Sequence, residues 1–124
     1  MEVRTEPLTD PVLEDQLDLL YELCLEFDSG EIDVSYGWAC NLDVDQLWKD
    51  QRIPTSSLPS FVNRSTSEGI VDLGGSDLHI KGVGVAFSFT VCHESDIHFE
   101  SPDPSLVSRV TSAWSERGLR FYQV

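Results

Sequence analysis

The sequence is poor in positive charge. Its 124 residues carry 8 lysines and arginines against 22 aspartates and glutamates, a formal net charge of −14. Between Thr5 and Trp48 there is no lysine or arginine at all. Nucleic acids and anionic membranes are polyanions that attract basic residues, so this balance argues against direct binding to either. Long apolar runs are also lacking: none approaches the ~20 residues of a membrane helix. The stretch MEVRTEPLTD has neither the basic start nor the apolar segment of a signal peptide. Cysteine is scarce and odd in number. Cys24, Cys40 and Cys92 cannot all pair within the chain. Each falls where a helix or strand interior is expected, and there a free thiol behaves as a small apolar group. Reduced thiols and no export signal predict a cytoplasmic protein. The sequon Asn63-Arg64-Ser65 carries no meaning in that compartment.

What the chain does have is enough apolar residues, 40% with 10% aromatic, to build a core despite its charge. No repeat or linker divides it, so residues 1–124 read as one domain. Pro11 to Phe27 reads as a helix, with Asp10 as N-cap and Pro11 in the first turn. Leu13, Leu17, Leu20, Cys24 and Phe27 make one apolar stripe, widened by Val12, Leu19 and Leu23, and Gly30 offers a stop. Ile32 to Leu42 alternates at period two and predicts a strand, with Tyr36 and Trp38 on its buried side. Asp43 then starts a short helix through Val44, Leu47 and Trp48, and residues 55–69 read as a loop with one turn around Pro59 to Arg64. Ile70 to Leu73 and Leu78 to Lys81 predict a hairpin about Gly74-Gly75-Ser76-Asp77, followed by strands over Val83 to Val91 and Ile97 to Phe99. Asp103-Pro104 opens a second helix that Gly118 ends, and Leu119 to Val124 reads as a last strand. The expected fold class is α+β, an antiparallel sheet with an N-terminal and a C-terminal helix packed on one face.

Charge is placed as unevenly as it is proportioned. Twelve acids lie between Thr5 and Trp48. On the expected helix Glu14, Asp18, Glu22 and Glu26 follow at i, i+4, opposite the apolar stripe. Like charges at that spacing cost ~0.2–0.5 kcal/mol per pair, so the three pairs oppose the helix by about 1 kcal/mol. A solvated face that served only solubility would mix both signs. The ladder therefore reads as a binding face for a basic protein partner, with Asp15, Glu31 and Asp33 flanking it. A toxin immunity protein or antitoxin against a nuclease or other toxin fits best, and a nucleic-acid mimic fits the same charge pattern.

One segment gathers other chemistry. Cys92-His93-Glu94-Ser95-Asp96-Ile97-His98-Phe99-Glu100 joins thiol, imidazole and carboxylate at a hairpin. Val91 and Phe99 must both face the core, so the loop has an odd number of residues; Cys92 is expected opposite His98, and Thr90 opposite Glu100. His79 and Lys81 project to the same face. The alternative function is thus a metal-binding or cysteine-dependent enzyme centred on Cys92 and His98, with His79 as a third zinc ligand or with Glu100 or Asp96 orienting the imidazole. Paired C-x-x-C or H-E-x-x-H spacing is missing, and no helix N-terminus or glycine nest supplies an oxyanion hole. Gly74-Gly75 lacks the G-K-[ST] of a phosphate loop, and Asp43-Val44-Asp45 lacks the glycine and distal glutamate of a calcium loop. The sequence reads as a binding protein rather than an enzyme, with no catalytic residue, metal or cofactor assigned.

Overall fold

Seven strands and three α-helices follow one another in the computed structural model, which describes all residues from Met1 to Val124. In chain order they are β1 (Glu2–Thr5), α1 (Asp10–Phe27), β2 (Glu31–Tyr36), β3 (Gln51–Pro54), α2 (Leu58–Ser67), β4 (Leu78–Gly82), β5 (Ser88–Val91), β6 (Ile97–Glu100), α3 (Pro104–Glu116) and β7 (Phe121–Gln123). A 3-10 turn, Thr55–Ser57, leads into α2. The strands form one sheet in the order β3-β2-β4-β5-β6-β1-β7, antiparallel at every pairing. The α+β class expected from the sequence is the class found. No helix is long and apolar enough to cross a membrane.

Strand periodicity sorts the sheet into two chemically distinct faces. Val34, Ile80, Phe89, Phe99 and Val3 are cross-strand partners in one row. They join the buried side chains of α1, α2 and α3, including Leu13, Leu20, Phe61, Val110 and Trp114, in a single core cluster of 23 residues. On the other face the adjacent row reads Ser35, His79, Thr90, His98, Arg4 and Tyr122. Beside it runs Asp33, Lys81, Ser88, Glu100 and Glu2.

Several local expectations are corrected. The strand begun at Ile32 stops at Tyr36, because the chain turns at Gly37 and the Trp48 N–H returns to the Tyr36 carbonyl at 2.7 Å. A Cβ at Gly37 would collide with the Trp48 ring, so the alternation through Trp38, Cys40 and Leu42 belongs to an irregular segment. Trp38 is accordingly 64% exposed rather than buried. No helix forms after Asp43; residues 44–48 are turns. Residues 58–67, read as loop, are helix α2, whose buried residues are Leu58, Phe61 and Ser65. The hairpin about Gly74-Gly75 is absent: residues 70–77 are loop with one isolated bridge, Leu73 to Ser76. Of the strand expected over Val83 to Val91 only β5 is extended, since a tight loop closed by Gly82 N–H to Phe87 O at 3.0 Å precedes it. β1 and β3 had no counterpart in the sequence reading.

The two Asp-Pro starts behave differently. Asp103 caps α3, its carboxylate accepting from Ser105 N at 2.9 Å. Asp10 instead lies inside the first turn of α1, with Thr9 at the cap and no side-chain cap bond. Gly118 does end α3, in the left-handed conformation at φ 73°.

Candidate functional site

Helix α1 carries its carboxylates outward: Glu14, Asp15, Asp18, Glu22 and Glu26 are all exposed, while Leu13, Gln16, Leu19, Leu20, Leu23 and Cys24 are buried. The buried stripe is rotated from the expected one, taking in Gln16 and leaving Leu17 and Phe27 half-exposed. Residues four apart advance by about 40° around a helix of 3.6 residues per turn, so the ladder winds around the surface instead of running straight. One rung is neutralised: Arg109 of α3 donates to Glu26 from Nε at 2.9 Å and from Nη2 at 3.3 Å. The exposed pair contributes little stability, but it shortens the free ladder to Glu14, Asp18 and Glu22. Glu31 and Asp33 lie on β2, on the parity of the polar sheet face, and Arg52 donates to Asp33 from Nε at 3.0 Å. The Arg52 guanidinium holds the Asp33 carboxyl below its ordinary range.

Between α1 and α2 opens a groove of about 680 Å³. Its walls are aliphatic, with Leu13, Leu17, Val62, Val71 and Ile80 among them, and Asp10, Glu14, Asp15, Asp18 and Asp72 stand at its rim. No lysine or arginine lines it. The groove is not legible in the sequence because its second wall, α2, lies within the serine-rich residues 55–69, whose pattern predicts a loop.

The other gathering of chemistry lies at one end of the polar sheet face. Asp77 and His79 just before and on β4, Thr90 and Cys92 on and just after β5, and Asp96 and His98 just before and on β6 are each two residues apart, so all share that face. The five-residue loop Cys92 to Asp96 is closed by Cys92 N–H to Asp96 O at 2.9 Å. Val91 pairs with Ile97 and Thr90 with His98. The predicted parity holds, but the register is shifted by two: Thr90, not Cys92, stands opposite His98. Asp96, not Glu100, bonds the His98 imidazole, at 2.9 Å to Nε2. Asp77 accepts from the His93 backbone N–H and bonds its Nδ1, both at 2.8 Å. His79 bonds Thr90 Oγ1 through Nδ1 at 3.0 Å, and its ring lies 5.0 Å from that of exposed Trp48. Exposed Trp38 sits 6.3 Å from the His93 ring. All three histidines of the chain and its two buried carboxylates, Asp77 and Asp96, thus meet in one region.

Burial sets the chemistry here. It pushes the Cys92 thiol up to about 11, and the neighbouring Asp96 and Asp77 carboxylates push the same way. A thiol so held stays protonated near neutral pH and is a weak nucleophile, which disfavours a cysteine-dependent reaction. Desolvation lowers the His79 imidazole below its ordinary value, keeping it neutral. Two sets of potential metal-ligating atoms lie within 4.8 Å of one another: Cys92, Asp96 and His98, and Asp77, Cys92 and His93. His79, the ligand expected with Cys92 and His98, is turned to Thr90 and Trp48.

Comparison with known proteins finds no matching family model, no similar curated protein and no similar solved structure.

Proposed function

We propose that the protein is a small cytoplasmic inhibitor that masks a basic surface on a protein partner, of the kind an immunity protein or antitoxin presents to a toxin or nuclease. The observation that carries this reading is the groove between α1 and α2, with five exposed carboxylates at its rim and no base in its lining. Carboxylates fixed on a rigid helix steer a basic partner over long range, and aliphatic walls beneath them reward its docking once it arrives. Glu14, Asp15, Asp18 and Glu22 are the principal contacts in this reading. Glu26 joins them only by giving up Arg109, and Glu31 and Asp33 contribute to the general field from the sheet.

The test is affinity capture from the native cell with the unsubstituted protein and with Glu14→Lys/Asp18→Lys/Glu22→Lys, followed by kinetics with the purified captured protein. The expected partner is basic, and the triple substitution slows its association by roughly tenfold at low salt while flattening the salt dependence. An association rate that the triple substitution leaves unchanged rules the reading out.

A further inference from the structure

We infer that Cys92, Asp96 and His98 form a binding site for a single divalent transition-metal ion of the zinc class, at the closed end of the β5–β6 hairpin. Three residue types suited to such an ion converge there, with Sγ, a carboxylate oxygen and an imidazole nitrogen within 4.8 Å of one another. They are held by rigid elements: His98 sits in β6, and the bond from Cys92 N–H to Asp96 O pins the other two together. Tetrahedral bonds of zinc to nitrogen, oxygen and sulfur set neighbouring ligand atoms about 3.3–3.8 Å apart. The Asp96–His98 contact of 2.9 Å must therefore open slightly and the wider spacings close, which side-chain rotation can supply.

A second observation points to a ligand. Asp96 is only 6% exposed, its Oδ2 bonds His98, and its Oδ1 is buried with no hydrogen-bond partner beyond the weakly donating Cys92 thiol beside the carboxylate. An unpaired buried carboxylate oxygen is costly, and a cation is the partner that satisfies it most fully. Charge also balances once the ion displaces the Cys92 thiol proton to solvent and the His98 ring proton moves from Nε2, where it now faces Asp96, to Nδ1: one thiolate and one carboxylate neutralise a divalent ion, and a neutral imidazole completes the set, so no net charge is left buried. Three protein ligands leave a fourth position for water. The alternative trio of Asp77, Cys92 and His93 shares the same thiol, but its Asp77 Oδ1 already accepts from the His93 backbone and ring, and His93 is more exposed. Thiolate and imidazole together favour zinc over calcium or magnesium.

Titration of the reduced protein with cobalt(II) tests the site. One equivalent is expected to bind, with a sulfur-to-cobalt charge-transfer band and intense visible bands of tetrahedral cobalt, and zinc(II) is expected to displace it. Cys92→Ser should abolish the charge-transfer band, and His98→Gln should weaken cobalt binding by roughly tenfold or more. Cys24→Ser, Cys40→Ser and His93→Gln should leave both unchanged. Ring proton–nitrogen correlation spectra of the unsubstituted protein provide a reading that needs no variant to fold: one equivalent of zinc should shift the His98 signals and spare those of His79. The inference is overturned by absence of stoichiometric binding, by a charge-transfer band that survives His98→Gln but not His93→Gln, or by His98 signals that zinc leaves in place.

Discussion

Asp28 ties two parts of the molecule together with one carboxylate. It follows α1, accepts from Gly30 N at 3.1 Å through Oδ1, and accepts from Gly84 N at 2.8 Å through Oδ2. The loop before β5 is thereby clipped to the helix end. The backbone donors, that of Gly84 foremost, hold the carboxyl below its ordinary value of 3.8. A folded pKa below the unfolded one means that the contribution is fully present above the unfolded value and is lost as pH falls through the folded one. Asp28→Asn should cost about 1 kcal/mol near neutral pH, kept small by solvent exposure. Urea unfolding of both proteins from pH 7 downward checks this: the gap in stability should close as Asp28 protonates. A gap that persists to the lowest pH at which both fold would place the effect in shape and not in charge.

At the scale of elements, α1 tests whether its ladder is kept for binding. Asp18 stands between Glu14 and Glu22, so Asp18→Lys turns two repulsive i, i+4 pairs into attractive ones and should stabilise the fold by about 1 kcal/mol at low salt. The same change removes a rim carboxylate of the groove and should weaken partner capture. Gain of stability with loss of binding is the outcome expected of a functional face, and calorimetry beside the capture assay reads both. The two long helices were legible because apolar residues at helical spacing mark a face that must be buried. Helix α2 was not, because its buried face is Leu58, Phe61 and a serine: Ser65 is accommodated inside by bonds to Tyr36 and to the Phe61 carbonyl. Edge strand β3 shows only half-buried Ile53 among exposed neighbours, and Pro54 is tolerated there because an edge needs no donor on its outer side. β1 is too short, with only Val3 and Thr5 buried, for alternation to stand out. In the metal-ligating cluster, parity revealed the shared face of Cys92, Asp96, His98 and His79. Register depended on where the loop closed, and Asp77 was hidden in the expected turn of a hairpin that does not form.

Across the whole molecule, acids outnumber bases so far that ion pairing cannot restore balance. Arg4, Arg52, Lys81 and Arg109, half of the bases, are taken by Glu2, Asp33, Asp50 and Glu26. Most carboxylates therefore repel one another without compensation, and this repulsion is larger in the folded chain, where charges are closer together. Salt screens it: the Debye length falls from about 10 Å at 0.1 M to about 3 Å at 1 M. Losing the exposed ion pairs to the same screening matters little, because each is weak. Sodium chloride raised to about 1 M should thus increase the urea midpoint while leaving the slope of the transition unchanged. Salt can also strengthen burial of apolar surface, so the comparison that decides is with Asp18→Lys/Glu22→Lys, whose net charge is −10 by four units of change from −14. If charge repulsion is the cause, the doubly substituted protein gains less from salt than its parent. Equal gains would assign the effect to apolar burial and leave the acidic surface without a measurable stability cost, and the retention of the α1 carboxylate ladder against stability would lose its support.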